Sequence, residues 1–266
     1  SIMNFYKIVV LGCILVLSFG ALAQTSSRQW NGKKCAVVLT YDDALNVHLD
    51  KVIPALDAFK FKETFYLVGS SPVVSKRLNE WRAAAKKGHE LGNHTLNHPC
   101  DGTFAGRDFV TPEADLSKFS VARAINEIKV TNTILEAIDG KKERTFAYPC
   151  GDRKIGDVYY YDLLKEDFVA ARGVESGLLQ KQQVDLANIN CFGQSESTAV
   201  QMIAQIEAAE KAGSFAVLLF HGVGGEHGLN VSVEEHQKVL AYLKKREKDI
   251  WVATMVEVAN YIKKSK

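Results

Sequence analysis

The chain has 266 residues, of which 47% are apolar and 24% are charged. This is ordinary globular composition, and the length is enough for one large core or one α/β barrel. The formal net charge of +2 comes from 33 basic and 31 acidic residues. It therefore gives no bulk electrostatic reason to expect nucleic acid or an anionic membrane as partner.

The first residues have the features of an export signal. Lys7 supplies a positive charge, an almost wholly apolar run follows at 8–22, and an A-x-A cleavage site ends at Ala23. This pattern predicts a secretory signal peptide at 1–23. The alternative is a single membrane anchor, for which the apolar run is rather short. We expect an exported protein (periplasmic, secreted or at the cell surface) with no stable membrane span after signal removal.

Four cysteines remain after the signal, namely Cys35, Cys100, Cys150 and Cys191. Disulfides form in the oxidising environment that an exported protein meets. Four cysteines allow three connectivities, and the sequence does not choose among them. No C-x-x-C pair is present, which argues against a zinc ribbon. The interpretation is buried thiols, with one disulfide as an option.

Beyond a short polar linker at 24–33, strands alternate with helices. The compact apolar run at 34–40 predicts a strand buried on both faces. Further strands are predicted at 63–68, 90–93, 144–148, 168–171, 187–191, 214–220 and 250–254. Helices are predicted at 46–59, 75–87, 119–138, 155–166, 198–212, 232–247 and 255–262. The helix at 232–247 begins with a capping box formed by Ser232 and Glu235, and a long loop occupies 99–117.

Alternating strands and helices predict a parallel sheet with crossover helices. Seven or eight such units in one chain favour a closed barrel over an open sheet. In a parallel barrel, functional residues collect at the C-terminal ends of the strands. Candidate functional residues follow several of the predicted strands: Asp42-Asp43, His94, Tyr148 to Gly151, Arg172 and His221.

The aspartates after the first strand and the histidines His94 and His98 suggest a metal site. Carboxylate and imidazole ligands suit a zinc-like ion, and three protein ligands leave a position for water or substrate. Neighbouring residues of a strand point to opposite sides, so Asp42 and Asp43 should have different roles. One can ligate the metal while the other takes a proton from metal-activated water. The alternative, that Asp43 is only a helix N-cap, accounts for one aspartate but not for two.

His221 ends the most apolar predicted strand and is followed by a glycine-rich loop. A histidine there can protonate a leaving group. The alternative is a hydrogen-bonded histidine at a strand end. His227, in the same loop, is a second candidate that its flexible setting disfavours.

These motifs resemble the polysaccharide deacetylase family, also called the NodB-homology domain or carbohydrate esterase family four. The family's T-[FY]-D-D-G motif matches residues 40–44, and its H-[ST]-x-x-H motif matches 94–98. A third motif resembles 146–151, and the L-x-x-H-x motif resembles 218–222. The resemblance covers roughly 35–262.

The resemblance implies an α/β fold, a distorted (β/α) barrel of about seven parallel strands in a single catalytic domain at 34–266. It also implies metal-dependent removal of acetyl groups from a carbohydrate. By motif position, Asp42 would be the catalytic base and His221 the general acid. The divalent metal, expected to be Zn²⁺, would be held by Asp43, His94 and His98.

Three further roles follow from motif positions. Thr95 would shape the histidine loop. The backbone amide of Cys150 would help to hold the oxyanion, and Tyr148 would contact the substrate. The family's usual tyrosine beside the oxyanion is replaced by Cys150, so substrate contacts there should differ.

The sequence departs from the family pattern in three other places. The glycine of the first motif is Ala44, which suggests a slightly different turn. The arginine that usually holds the catalytic aspartate is Ala147, and we hypothesise that Arg172 supplies this charge from another direction. The fourth motif has no clean match, so the acid that orients His221 is open, with Asp185 as a weak candidate.

The sequence therefore predicts an exported, metal-dependent hydrolase of acetylated polysaccharides or oligosaccharides. The bond that it hydrolyses would be a non-peptide carbon–nitrogen bond, as in N-acetylglucosamine polymers, or a carboxylic ester, as in O-acetylated xylan-like polymers. The alternative is a catalytically inactive carbohydrate-binding barrel of the same fold. The intact aspartates and histidines argue against this alternative, and the oligomeric state is open.

Overall fold

The computed structural model describes residues 27–266. At its centre is a curled sheet of eight strands, all paired in parallel. The strands are β1 (Cys35–Asp42), β2 (Thr64–Leu67), β3 (Glu90–Asn93), β4 (Phe146–Ala147), β5 (Ala171–Arg172), β6 (Phe192–Gly193), β7 (Phe215–Phe220) and β8 (Ile250–Val252). Their order is β5-β4-β3-β2-β1-β7-β6, with β8 pairing on β1. The predicted single-domain α/β fold, a distorted barrel with about seven parallel strands, is confirmed. The signal peptide predicted at 1–23 lies outside the described residues.

The central strand β1 organises the core. All eight of its residues are buried, as expected of a parallel strand covered on both faces. Val37, Leu39 and Tyr41 pack into one apolar cluster, whereas Ala36 and Val38 pack into a second cluster on the other face. Because β1 pairs with β2, β7 and β8, its C-terminal end lies in the middle of the edge that the C-terminal ends of the parallel strands form.

In the described part of the chain, seven α-helices surround the sheet. They are α1 (Ile53–Ala58), α2 (Pro72–Lys76), α3 (Leu78–Lys86), α4 (Val121–Asp139), α5 (Ala199–Ala212), α6 (Val233–Lys245) and α7 (Met255–Lys264). Side chains cap several N-termini: Thr198 accepts a hydrogen bond from the Gln201 backbone N–H, and Thr254 accepts one from that of Glu257. None of the helices among residues 27–266 is both long and apolar enough to cross a membrane.

The helix predicted at 155–166 is wrong. The structure has an antiparallel hairpin of Lys154–Ile155 and Val158–Tyr159, followed by a 3-10 turn at Tyr160–Leu163. Gly156, with φ of 58°, begins a two-residue hairpin loop of the kind that needs a left-handed conformation. This turn signal outweighs the apolar spacing on which the helix prediction was based.

Two smaller predictions also need correction. The strand predicted at 187–191 is displaced, because β6 is Phe192–Gly193 and Ile189 forms only an isolated bridge with Arg172. The capping box of α6 is half formed. Ser232 accepts a hydrogen bond from the Glu235 backbone N–H, but the Glu235 carboxylate accepts one from the backbone of Ala199.

The described part of the predicted linker is anchored to the domain. Trp30 is fully buried in the second apolar cluster. Its indole Nε1–H donates a hydrogen bond to the carbonyl oxygen of Gly213 at 2.9 Å. A buried tryptophan whose N–H is satisfied contributes a large apolar area, so residues close to the first strand belong to the core.

Candidate metal centre and active site

The C-terminal ends of three strands deliver the predicted site residues to one cavity of about 610 Å³. Asp42 ends β1, His94 follows β3, and His221 follows β7. The chain turns sharply after Asp42, with φ of 85° at Asp43 and 54° at Ala44. Ala44 therefore occupies the left-handed conformation that glycine adopts at lower cost.

Asp42 is buried and forms an ion pair with Arg172. The two guanidinium Nη atoms of Arg172 each donate to one carboxylate oxygen of Asp42 at 2.7 Å. Burial alone would raise the pKa of Asp42, but the charge and hydrogen bonds of Arg172 outweigh burial and lower the pKa. The carboxylate is thus held ionised, as a proton acceptor must be.

The register of the sheet explains how Arg172 reaches this position. Ala147 on β4 is the direct register partner of Arg172 on β5. Ala147 stands where the family's motif usually has an arginine, and the arginine of this chain lies one strand further along the sheet. The guanidinium of Arg172 also donates to Thr40 Oγ1 at 3.1 Å and lies over the ring of Tyr66 at 4.9 Å.

Asp43, His94 and His98 each offer one ligand atom, and the three atoms are placed as a metal site requires. Asp43 Oδ1 lies 3.4 Å from His94 Nε2 and 3.5 Å from His98 Nε2. Ligands held tetrahedrally about 2.0–2.1 Å from zinc lie about 3.3 Å from one another. Asp43 Oδ1 is also buried without a hydrogen-bond partner among residues 27–266. A buried oxygen without a partner is costly, and a cation in this position would satisfy it.

Hydrogen bonds prepare the two histidines for this role. His94 Nδ1 lies 2.7 Å from the carbonyl oxygen of Ala147. A carbonyl can only accept, so Nδ1 carries a hydrogen, and in the neutral ring Nε2 keeps its lone pair for a metal. Burial lowers the pKa of His98 to about 4. His98 is therefore neutral at physiological pH, as ligation requires.

Thr95 shapes the loop that carries the two histidines. Its backbone has φ of 67°, and its N–H donates to Asn93 Oδ1 at 2.8 Å. Its hydroxyl oxygen accepts a hydrogen bond from the His98 backbone N–H at 2.9 Å. These two bonds turn the chain so that His98 faces the same point as His94.

A disulfide between Cys100 and Cys150 joins this loop to the turn at Pro149–Gly151. Cys35 and Cys191 are free and buried, so both parts of the cysteine expectation are present. Cys150 lines the cavity. Tyr148 also lines it, but its hydroxyl donates to the Ala187 carbonyl at 2.7 Å and its ring is almost fully buried.

His221 lies near the other oxygen of the Asp43 carboxylate from the one that faces His94 and His98. Its Nε2 is 3.9 Å from Asp43 Oδ2. Burial lowers its pKa despite the nearby aspartates. Asp185, the weak candidate for orienting it, accepts a hydrogen bond from the Ala187 backbone N–H and makes no ion pair with His221. That candidate is wrong, because Asp185 is used within its own loop.

Two functional candidates lie outside the family motifs. His48, fully buried, donates from Nε2 to the carbonyl oxygen of His221 at 2.7 Å, and burial lowers its pKa to about 4. His227 Nε2 lies 3.3 Å from Asp43 Oδ2, and its ring stacks on that of His221 with centroids 4.6 Å apart. His227 is the second histidine candidate of the glycine-rich loop named from the sequence, and no motif points to His48.

Two curated bacterial proteins align over parts of their length. The uncharacterized protein YlxY of Bacillus subtilis is 33% identical over 106 residues, 40% of this chain and 28% of that protein. The peptidoglycan-N-acetylglucosamine deacetylase of Bacillus cereus is 28% identical over 120 residues, 45% of this chain and 38% of that protein. The chain thus spans well under two thirds of both relatives.

The fold is shared with a solved structure, a candidate polysaccharide deacetylase from Mycobacterium smegmatis. Its TM-score is 0.64 at 16% identity, over 88% of this chain and 92% of that chain. At this identity the likeness concerns the fold alone. A family model described as polysaccharide deacetylase matches residues 30–164, about half of the chain. The chain belongs to the polysaccharide deacetylase family.

Proposed function

We propose that this protein is an exported, metal-dependent deacetylase of a polysaccharide or oligosaccharide. One observation carries the proposal. The partnerless Asp43 Oδ1 faces the Nε2 atoms of His94 and His98, directly beside a carboxylate that a buried arginine keeps ionised. A ligand set with an open side and an adjacent base is the arrangement that metal-assisted hydrolysis needs.

The residues of the chain divide the chemistry between the two sides of the acetyl group. A zinc-like ion held by Asp43, His94 and His98 would polarise the carbonyl and lower the pKa of water. Asp42 accepts the proton of the attacking water, and Arg172 fixes its orientation. His221 then protonates the leaving nitrogen or oxygen of the sugar.

The turn at Pro149–Gly151 supplies the remaining contact. Cys150 lines the cavity, and its backbone N–H would donate to the oxygen on which negative charge develops. The disulfide to Cys100 ties this turn to the histidine loop, so donor and ligand set are linked covalently. A disulfide in this position also supports an exported protein, since such bonds persist in oxidising compartments.

The substrate we propose is an acetylated glycan, in which the amide bond of an N-acetyl group or the ester bond of an O-acetyl group is cleaved. The Bacillus cereus relative is named for peptidoglycan N-acetylglucosamine, which favours testing amides first. The same base and acid serve an ester, because only the leaving atom that His221 protonates differs between the two.

Acetate release tests the proposal directly. The protein is supplied with Zn²⁺ and assayed on peptidoglycan, chitooligosaccharides and acetylated xylan, with and without a chelator. We expect release from at least one substrate, its loss with chelator, and its recovery when Zn²⁺ is restored. Asp42→Asn should lower turnover by roughly 100-fold or more, the range of general-base catalysis.

A result with glycan binding but no acetate release from any substrate would instead support the inactive binding barrel. In that case Asp42→Asn should leave glycan affinity unchanged. Acetate release that persists in full after complete metal removal would contradict the metal-dependent mechanism.

A further inference from the structure

The loop at 222–231, called here the His227 loop, is anchored beside the candidate metal centre. Its ends pair with each other as two short strands, Gly222–Val223 and Asn230–Val231. Within it, Asn230 Oδ1 accepts a hydrogen bond from the Gly225 backbone N–H at 2.8 Å. This closed shape differs from the flexible loop expected from its glycines.

Three hydrogen bonds to residues outside the loop fix it on the Asp43 side of the cavity. The Glu226 carboxylate accepts hydrogen bonds from the Asn46 side chain and the Val47 backbone N–H, both at 2.8 Å. Lys51 Nζ donates to the Gly224 carbonyl at 2.6 Å. Because Asn46 and Val47 follow the Asp42-Asp43 motif closely, the loop is fastened to the segment that carries the metal-binding carboxylate.

The hydrogen bonds of His227 determine which of its ring nitrogens carries a hydrogen. Its Nδ1 accepts a hydrogen bond from the Leu229 backbone N–H at 2.9 Å. A backbone N–H can only donate, so Nδ1 keeps its lone pair and Nε2 carries the hydrogen of the neutral ring. That Nε2 lies 3.3 Å from Asp43 Oδ2.

His94 has the opposite arrangement at the other oxygen of the same carboxylate. Its Nδ1 donates to the Ala147 carbonyl, so in the neutral ring that metal ligation requires the Nε2 lone pair faces Asp43 Oδ1 at 3.4 Å. One histidine thus offers a lone pair beside Oδ1, and His227 offers an N–H beside Oδ2. The two oxygens of Asp43 are chemically distinguished by their surroundings.

We propose that His227 is a positioning residue that donates its Nε2 hydrogen to Asp43 Oδ2 and so directs Oδ1 at the metal. The inference rests on the metal centre proposed above. Carboxylate ligands are held in place by hydrogen bonds from outside the ligand set, and the loss of such a partner typically costs about 10–100-fold in metal affinity. His227 therefore raises metal affinity without touching the metal.

A competing arrangement would use His227 as a ligand. Asp43, His221 and His227 offer three donor atoms within 4.8 Å of one another, enough for a second metal bridged through Asp43. A ligating Nε2 must lack a hydrogen. The Nε2 of His227 could ligate a metal only if its hydrogen moved to Nδ1, and His227 would then lose the hydrogen bond from the Leu229 backbone N–H. The hydrogen-bond pattern thus favours the donor role.

Zinc binding by the full chain distinguishes these roles without any assay of turnover. Zn²⁺ alone is titrated into metal-free protein in competition with a chromophoric chelator, for wild type, His227→Leu and His227→Gln. Glutamine can place an N–H where histidine has Nε2, and leucine cannot. We expect one zinc per chain in all three proteins, a Kd raised about 10–100-fold in His227→Leu, and a Kd within about threefold of wild type in His227→Gln.

Several results would overturn the donor role. One is a wild-type affinity in His227→Leu, and another is an equal loss in both variants. Two zinc ions per wild-type chain, with one lost in His227→Leu, would establish the bridged arrangement instead. Absence of zinc binding by wild type would overturn the metal centre itself, whereas zinc binding without acetate release would leave the role of His227 standing and refute only the enzyme.

A second measurement does not depend on how the variants fold. In protein with ¹⁵N-labelled histidine and bound Zn²⁺, the nitrogen shifts of His227 should show Nε2 protonated and Nδ1 unprotonated. The reverse pattern would contradict the proposal. Thermal unfolding of the metal-free variants serves as the folding control, and we expect His227→Gln to match wild type.

Discussion

Two carboxylates at opposite ends of neighbouring strands show that equally buried groups can have opposite pKa shifts. Asp42 ends β1 and is 2% exposed, whereas Glu63 directly precedes β2 and is fully buried. Asp42 receives two hydrogen bonds from Arg172. Glu63 accepts one from the Leu39 backbone N–H at 2.9 Å, and its other oxygen has no partner among the described residues.

The pKa values of the two groups move in opposite directions. Burial raises the pKa of Glu63 well above its usual value, and no cation opposes the effect. Burial acts on Asp42 as well, but Arg172 outweighs it and the pKa falls. Depth in the protein is therefore not what makes a carboxylate a base. The charged partner decides: Arg172 pairs with Asp42 beside the cavity, whereas Glu63 makes no ion pair among residues 27–266.

The largest expected effect comes from removing the partner of Asp42. Arg172→Met leaves a buried carboxylate without its cation, which typically costs about 3–5 kcal/mol. Asp42 should then resemble Glu63 and become protonated, so acetate release should fall by roughly 100-fold or more. Urea unfolding and turnover measure the two consequences. Retention of both stability and turnover would show that Arg172 is dispensable.

A double variant separates stability from activity. Arg172→Met combined with Asp42→Asn removes both charges, so the cost of an unpaired buried charge disappears. We expect most of the about 3–5 kcal/mol lost in Arg172→Met to return, because replacing both partners of a buried pair is often nearly neutral. Turnover should remain absent. Additive losses of stability in the double variant would contradict the coupling of the two residues.

Glu63→Gln tests the other carboxylate, with a pH dependence of known sign. Because the folded pKa of Glu63 lies above the unfolded value of 4.5, the folded state binds more protons between these values, and wild-type stability falls as pH rises. The amide does not titrate. Glu63→Gln should match wild type near the unfolded pKa and gain about 1.4 kcal/mol for each pH unit while folded Glu63 stays protonated.

Urea unfolding at several pH values measures this difference, and turnover should be unchanged because Glu63 lies away from the cavity. A difference between the two proteins that is constant with pH would show that Glu63 does not change protonation on folding. A gain with falling pH would mean that Glu63, like Asp42, is held ionised.

The smallest expected effect concerns the hydroxyl beside the ion pair. Thr40 Oγ1 accepts from Arg172 Nη1 and donates to the Leu218 carbonyl, both at 3.1 Å. Thr40→Val should cost about 1–3 kcal/mol, because a hydrogen bond to a charged group is lost. Thr131→Val is the matched control, since Thr131 is buried and donates only to a helical carbonyl. Urea unfolding should show the smaller loss in the control.

The sequence by itself determined where the reacting residues lie along the chain. The motif around Asp42 follows a buried apolar run, which predicts a strand locally, and the motif around His94 follows the short strand predicted at 90–93. Parallel strands end at one edge, so the convergence of these motifs followed from the fold class alone. The helix cap at Ser232 was equally local.

Long-range contacts were decided only by the tertiary structure. Arg172, hypothesised from the sequence to replace the missing arginine, contacts Asp42 across 130 residues of sequence, and the pairing of Ala147 with Arg172 on adjacent strands places it there. The pairing of Cys100 with Cys150 is one of six single disulfides that four cysteines permit. His227 gained its position from Glu226, a surface carboxylate that no periodicity distinguishes.

The physical reason is the range of the interactions. Caps, turns and strand propensity act within a few residues, so the sequence displays them directly. The ionisation of Asp42 and the tautomers of His94 and His227 depend on single atoms brought close by folding. Elements as short as β4 and β5 are likewise stabilised by their neighbours in the sheet, which is why the sequence located the site but not the contacts that tune it.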